Sequence, residues 1–558
     1  MKSLSSWAAL LSFALLGFEV IPSFAGKIQS DQAKADPSRR AAVKQAFQSA
    51  FGDYLEYAYG YDELLPLTKN GTGGFGNWGA TFIDALDTAK IMGLEDIVNE
   101  GIRFAEKVDF SQTSQSTISL FETNIRYVAS LLSLYELTGN TNQNLVNQAK
   151  VIGDKLLKGW SGNNNIPDNS LNDWTSGPFP DTSVNANIAE AGTLLLEFSR
   201  LSKFTGNSSY LDHAVRSMRA IINSTAVFPG LYAQSINPTT AEPVGDYVTW
   251  SGGSDSFFEY LVKYGQLIGS TDIYIPTWIN SVKSSIQHLI TMPGDTSANV
   301  TILSDYSASN GGLIPQFTHL GCFAGGNWIL GGKLLDSNEI FQYGLDLANA
   351  CVNTYTSSVT GIGPEVFVFK TDNGGTNGVT ISNETFYKEH GFDYAVPTYY
   401  LRPEVLESVF YAYRSTGDKR WQDLAWTAFN SIIKYCKAPA ALASISQVNN
   451  TQTTQINDSE SFLYAELFKY LFLIFDDPNV ISLDTYVFNT EAHPFKVENP
   501  NADYSGAPVG TIPSPGQGQD QGRTLSPSST QRTSAPRPLT SGLSSFSFMK
   551  SLTFQKEK

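Results

Sequence analysis

Four stretches of this sequence repeat one pattern: "SLLSLYELTGNTN", "LLLEFSRLSKFTGNSSYL", "YLVKYGQLIGSTD" and "SVFYAYRSTGDKRWQDLAW". Each runs an apolar stripe at helical spacing into a Gly turn and then a new helix start, the signature of repeated helical hairpins. The Gly after Thr suits a left-handed helix C-cap. Length alone, at 558 residues, would suggest several domains. Connectivity overrides that prior: hairpins recurring through residues 26–498 predict one all-α toroid of paired helices.

About four helical turns before each Gly, at about 3.6 residues per turn, stands a carboxylate: Glu122 before Gly139, Glu190 before Gly206, Asp255 before Gly269 and Glu404 before Gly417. One acidic residue at a helix start is ordinary, because capping and the macrodipole favour it. Four in register argue for a site. If these helices form the inner ring, their N-terminal ends open on one mouth and the carboxylates converge there. With Arg126 and Arg402 close in sequence and 12% aromatic residues, Phe462 among them, such a pocket suits glycoside hydrolysis. That reaction needs one carboxylic acid and one carboxylate across the scissile bond. Clustered like charges raise some of the pKa values, as an acid catalyst requires. They also attract a hard cation with oxygen ligands, and Ca²⁺ is the one expected.

The balance of 53 Asp+Glu against 37 Lys+Arg, a formal charge of −16, opposes phosphate-backbone binding and suits neutral ligands or cations, so nucleic acid is not expected as a partner. No G-x-S-x-G elbow, H-E-x-x-H or Walker A sequence occurs. "GTGGFG" at residues 71–76 matches G-x-G-x-x-G but follows "PLTKN" rather than an apolar strand, so it reads as a flexible loop rather than a dinucleotide site. Of the scattered histidines, His213 and His288 read as helix-surface or packed residues, and His319 in "FTHLGCF" as one near a site.

The start, "MKSLSSWAALLSFALLGFEVIPSFAG", reads as a secretory signal over residues 1–25, cleaved after Ala25. A signal anchor is the alternative, but the apolar stretch is short for a full span. N-x-S/T sequons at Asn70, Asn207, Asn223, Asn299, Asn383, Asn449 and Asn457 fit a glycosylating secretory pathway. The three cysteines, Cys322, Cys351 and Cys436, have no zinc-site spacing, and in an oxidising compartment one pair can form. Residues 499–558, rich in Pro, Gly, Ser, Thr and Gln, are expected to be a disordered tail.

Near the end of the hairpin region "LDTYVFNTEAHPF" runs a strand-like segment into Asn489, Thr490, Glu491 and His493, which taken alone reads as a capped strand end. Together with "AYGYDELLPL", "NWGATFIDALDTAKIMGL", "LFETNIR", "AEAGTLLLEFSRLSKFTG", "GGSDSFFEYLVK", "THLGCFAGG", "GIGPE", "YYLRPEVLESVFYAYRSTGD" and "ESFLYAELFKYLFLIFDD", it resembles glycoside hydrolase family 47, the class I α-1,2-mannosidases of N-glycan trimming. The resemblance runs from Ala46 to Pro494. It implies an (α/α)7 barrel plugged at one end by a C-terminal β-hairpin, an inverting reaction and a bound Ca²⁺. It implies Glu122 as a general acid acting through water, Glu404 as the base and Asp255 as the third catalytic carboxylate. In this family the acid's part has been divided between Asp255 and the glutamate of "FE".

The same resemblance implies that Arg126, Glu190, Arg402, Glu407, Phe462, Glu466 and Glu491 contact the terminal mannose or the waters around the metal. Thr490 would ligate Ca²⁺ through its hydroxyl and carbonyl oxygens, and Cys322 would pair with Cys351. The sequence departs from the family at Asn77, where Gly is common, and at Ala89 and Lys90, where larger apolar side chains are usual. Gly253 stands where the endoplasmic-reticulum type has an Arg, which implies removal of several mannoses. High-mannose N-glycans, a monomeric chain, no membrane span after signal cleavage, and an endoplasmic reticulum/Golgi lumen or secreted location complete the expectations. Two competing readings are another helical-toroid glycosidase and a non-catalytic glycan-binding protein of quality control.

Overall fold

The computed structural model describes residues 27–516. The expected signal at 1–25 and the chain beyond 516 lie outside the described residues. The helical stripes form as the sequence predicts. Asp36 caps the first helix, Pro37–Tyr57, by accepting the Arg39 amide at 3.1 Å, with Pro at the first helical position. Gly206, Gly269 and Gly417 end their helices in the left-handed region at φ 72°, 64° and 70°, where a Cβ would be strained. Gly139 turns the chain in the same way at φ 79°.

Burial sorts the helical segments into two rings. Lining the inside are 80–91, 120–137, 188–205, Asp255–Ile268, Phe323–Leu334, Glu404–Thr416 and 463–475, most of whose residues are buried on every side. Outside lie Pro37–Tyr57, Glu95–Ala105, Gln143–Leu156, Ser209–Ile222, Tyr274–His288, Asn338–Ser357 and Lys419–Cys436, each with residues left exposed or half-buried on one side. Inner and outer segments alternate along the chain, and Pro37–Tyr57 packs against Phe468–Phe475 to close the ring. Among the described residues this makes seven inner and seven outer segments, the (α/α)7 barrel.

Each inner segment enters after a long connector; five leave through a short Gly turn at Gly93, Gly139, Gly206, Gly269 or Gly417, and Phe323–Leu334 turns at Asp336, so the inner N-termini face one mouth. At the opposite end the hairpin of Tyr486–Phe488 and Pro494–Lys496, paired antiparallel with Val487 opposite Phe495, plugs the barrel. Its strands are gripped by the C-terminal ends of inner helices: Glu136 accepts the Lys496 amide at 2.8 Å, Arg200 donates to the Lys496 carbonyl, and Gln266 donates to the Leu483 carbonyl at 2.9 Å. The tip, residues 489–493, is thereby pushed up the barrel axis toward the mouth. The polar group that looked like a strand cap is the part the strands deliver.

Cys322 and Cys351 form a disulfide tying the start of an inner helix to its outer partner, and Cys436 is a buried free thiol. A loop of about 30 residues closed in this way contributes roughly 3 to 4 kcal/mol in the chain-entropy model. His213 and His288 are packed residues, set against Trp160 and stacked on Phe228.

Two expectations need correction. The polar tail does not begin at residue 499: residues 499–516 lie on the barrel, with Ala502, Tyr504 and Ile512 buried and the Gly516 amide donating to the Gln287 carbonyl at 3.2 Å. A few apolar side chains suffice to hold a segment whose average composition is that of a linker. Nor is "GTGGFG" a free loop. Its backbone wraps the buried Asp62 carboxylate: Oδ2 accepts the amides of Gly74, Phe75 and Asn77, and Oδ1 those of Trp78, Gly79 and Ala80, at 2.8 to 3.2 Å. The glycines serve an anion-cradling turn after all, but the anion is a side chain of the same protein. Asn77 lies at φ 62°, a left-handed conformation that Gly adopts freely and Asn tolerates.

Candidate active site

The four carboxylates singled out by spacing reach the same mouth because each is set into the first turn of an inner helix. The Ser119 hydroxyl accepts the Glu122 amide at 3.2 Å and Asn187 Oδ1 accepts the Glu190 amide at 2.8 Å. Asp255 accepts the Ser256 amide at 2.8 Å, and Glu404 follows Pro403 as the first residue of its helix.

Around them two arginines carry opposite duties. Arg126 donates to Glu122 at 2.9 Å and to the Ser461 hydroxyl at 3.0 Å, pairs with Glu491 from the plug tip, and lies 3.5 Å from Asp84. Arg402 grips both oxygens of Glu365 at 2.7 and 2.9 Å. Both guanidiniums lie over the Phe462 ring, at 5.9 and 5.8 Å from its centroid. His319 sits against Glu404, Nδ1 to Oε2 at 2.7 Å, and its other nitrogen meets the Tyr355 hydroxyl at 2.8 Å. That second bond orients the ring.

The electrostatics split the carboxylates into two populations. Burial would raise Glu404, but the hydrogen bond and charge of His319, with Arg402 behind them, outweigh it and hold Glu404 below the usual carboxylate range. Burial pushes Asp255 up to about 7, with Glu259 and Glu404 adding repulsion. Glu190 is pushed by burial, then by Glu122 and Asp255, to about 7. Glu407 rises to about 8, burial outweighing the Lys263 ammonium 3.7 Å away. Glu466 and Glu491 rise well above the ordinary value, for burial first and then for their carboxylate neighbours.

At the plug tip the Thr490 amide meets the Tyr260 hydroxyl at 3.3 Å, and Tyr260 donates to Glu197, which also accepts from Asn489 at 2.9 Å. One turn on, His493 lies between Asp84 (3.0 Å) and Asp87 (2.8 Å) with Lys469 on the far oxygen of Asp87 at 2.8 Å. A separate trio, Glu63, Asp458 and Glu460, brings ligand oxygens within 4.8 Å of one another, and Glu460 contributes to the field on both arginines.

The side chains of Glu122, Arg126, Glu190, Asp255, His319, Arg402, Glu404, Glu407, Phe462, Glu466 and Glu491 lie around one mouth, with Thr490 beside Glu491 on the plug tip. The structure adds Asp84, Glu365 and Lys263, which sequence reasoning missed, and Glu259, met there only as the glutamate of "FE". Asp84 and Lys263 sit inside helices with no distinguishing pattern, and Glu365 is in a connector, so only the fold joins them to the mouth. Arg126 and Glu466 lie in π-helical turns, Asn124–Val128 and Leu463–Leu467. Such turns often mark functional sites, and no residue in either stretch advertises one.

This geometry has known relatives. The chain matches the glycosyl hydrolase family 47 model over residues 46–497. It is 38% identical over 522 residues to "Mannosyl-oligosaccharide alpha-1,2-mannosidase 1B" of Emericella nidulans, covering 90% of this chain and 100% of that one. It is 36% identical over 490 residues to "Mannosyl-oligosaccharide alpha-1,2-mannosidase" of Penicillium citrinum, covering 84% and 93%. Among solved structures it superposes on "alpha-1,2-mannosidase from Trichoderma reesei" with a TM-score of 0.79 at 36% identity, over 83% of this chain and 100% of that one. The matched span takes in both rings, the mouth and the plug tip, so the chain belongs to glycosyl hydrolase family 47.

Proposed function

We propose that this protein is an inverting exo-α-1,2-mannosidase that removes several terminal mannoses from high-mannose N-glycans with Ca²⁺ at the pocket floor. One observation carries the reading: in a single mouth, Glu404 is held ionised by His319 and Arg402 while Asp255 is pushed to about 7. A base and an acid kept apart in pKa are what hydrolysis of a glycosidic bond requires. Glu404 takes a proton from the attacking water. The leaving oxygen receives its proton from Glu122 through a water. A second reading gives that step to Asp255, because Asp255 retains a proton near neutrality whereas Glu122 is engaged by Arg126 at 2.9 Å.

The floor fits a hard cation. Glu407, Glu466 and Glu491 are all raised, by burial first and then by one another and neighbouring carboxylates, which a bound cation would offset. Thr490 offers two neutral oxygens from the plug tip, with carboxylates around it to hold waters. Bound Ca²⁺ would supply fixed charge for orienting sugar hydroxyls and water. Metal-free, each raised carboxylate takes up a proton on folding. Stability is then undiminished below about 4.5, the unfolded value, and falls as pH rises through the folded values of about 7 to 8. Added Ca²⁺ is expected to raise Tm more at pH 8 than at pH 5, and Thr490→Ala to abolish most of that increment; an equal shift in both proteins refutes the floor assignment.

Gly253 supports multiple removal. It lies at φ 85°, and a Cβ there would come 2.8 Å from the Gln234 amide, which donates to the Gly252 carbonyl at 2.8 Å. Any side chain at this position would require Gln234 to move. The location reading gains from Asn70, Asn223, Asn299, Asn383 and Asn449, whose side chains are exposed; Asn457 instead ties two loops, accepting the Leu67 amide at 2.8 Å. Among the described residues no helix is long and apolar enough to cross a membrane. The direct test is a time course on a nine-mannose glycan with and without Ca²⁺. Release of several mannoses, lost on EDTA, is expected; a stall after one mannose sinks the multiple-removal reading, and binding with no release favours the glycan-binding alternative.

A further inference from the structure

We propose that Phe75, presented by the Asp62-anchored loop, stacks on a pyranose ring of the bound glycan and helps set which oligosaccharides this pocket accepts. The inference rests on the mannosidase reading above and deepens it. Phe75 reaches the site through Arg126, whose guanidinium carbon is 4.7 Å from the Phe75 ring centroid and 5.9 Å from that of Phe462. The same guanidinium holds Glu122 and Glu491. Two aromatic rings thus share one pocket arginine.

The loop is built to hold this ring still. Six backbone amides converge on Asp62, and the Tyr127 hydroxyl donates to the Phe75 carbonyl at 2.7 Å. The next residue is tied on both sides, the Gly76 amide to Gln115 at 2.9 Å and its carbonyl to the Thr113 hydroxyl at 2.7 Å. Gly76 itself, at φ 98° with the Trp78 ring 2.3 Å from where a Cβ would stand, admits only glycine. Phe75 packs partly against the core and carries the Arg126 guanidinium over its ring, yet it remains partly exposed. A ring held still by its backbone loses little freedom on binding. Its negative face suits the C–H side of a sugar ring, whose hydrogens carry slight positive charge.

The position says which ring. The loop leads into the inner segment that begins at Ala80, so it stands at the mouth, with Thr490 and Glu491 at the floor below. When the terminal sugar is at the floor, the adjoining pyranose lies at the mouth. Phe75 therefore meets the sugar next to the one released.

The test compares Phe75→Leu, Phe75→Ala and Phe75→Tyr for Tm, for kcat and KM on α-1,2-linked mannobiose and the nine-mannose glycan, and for glycan Kd. Leu and Ala are expected to raise KM and Kd about tenfold, the scale of one lost ring stack, with kcat within about threefold of the parent. Tyr, which keeps the ring, stays near parent values. Unchanged KM and Kd in Phe75→Leu overturn the proposal, since the ring then only packs on Arg126. A kcat loss as large as the KM change, not restored by Tyr, also overturns it, since Phe75 then acts by placing Arg126 and Glu122. If the parent protein releases no mannose, the mannosidase reading fails, and the Kd comparison still decides Phe75.

Discussion

Glu404→Gln is expected to lower kcat on an α-1,2-mannoside by ~10²–10⁴-fold, the usual worth of a general base, while leaving the fold intact. The amide keeps the size and can still meet His319 and the helix start, but it cannot accept the proton of the attacking water. Because Glu404 is held below the ordinary carboxylate range by His319 and Arg402 despite burial, the acid limb of the kcat/KM profile is expected below about pH 4.5. A parent profile whose acid limb lies near 6 would remove Glu404 from the base's position.

The leaving group separates base from acid. A substrate with an acidic, self-departing leaving group bypasses the proton donor but still needs the water activated. Glu404→Gln should therefore stay slow on it. Of Glu122→Gln and Asp255→Asn, the one whose deficit shrinks is the donor. If it is Asp255, the alkaline limb of the parent profile tracks the group held near 7.

Much of this was legible because it is local. A stripe of apolar residues at helical spacing and a left-handed Gly are properties of a few neighbouring residues, so the hairpins around Gly139, Gly206, Gly269 and Gly417 could be read directly. The converging carboxylates were legible at one remove: each is an ordinary first-turn acid, and only their common distance from the Gly turn suggested a shared mouth. The Cys322–Cys351 pairing came through resemblance alone. What escaped depends on contacts far apart in sequence. Asp62 turns a Gly-rich loop into a rigid mount, Glu365 meets Arg402 across a connector, and Tyr504 and Ile512 hold down a segment whose composition reads as linker. Composition averages over the few residues that decide such cases.

The plug tip shows why distant partners also matter to stability. His493→Ala is expected to be the most destabilising single change at the site, by ~3–5 kcal/mol, because it leaves buried carboxylates without their shared cation. The imidazole lies between Asp84 and Asp87 with all three fully buried, and the neighbouring charges are Lys469 on Asp87 and Arg126 near Asp84. Burial opposes charging His493, but the two carboxylates outweigh it and its pKa is raised. Asp84 and Asp87 are in turn held low against burial, Asp84 chiefly by His493 and Asp87, at about 2, by Lys469 and His493.

The signs then fix the pH window. A raised histidine contributes fully below its unfolded value of about 6.5 and loses that contribution as pH rises through the folded value. Lowered aspartates contribute above about 3.9 and lose it as pH falls toward 2. The stability gap between parent and His493→Ala should therefore be widest between about pH 4 and 6.5 and narrow on both sides. His493→Gln, able to donate to only one carboxylate, should fall between the two. Because the His493 and Glu491 amides both donate to Asn489 Oδ1, at 2.7 and 3.1 Å, loosening this bridge also loosens Glu491 against Arg126. Activity should fall along with denaturant midpoint. An alanine variant whose denaturant midpoint matches the parent across that window would show that Lys469 and Arg126 suffice to hold the two aspartates.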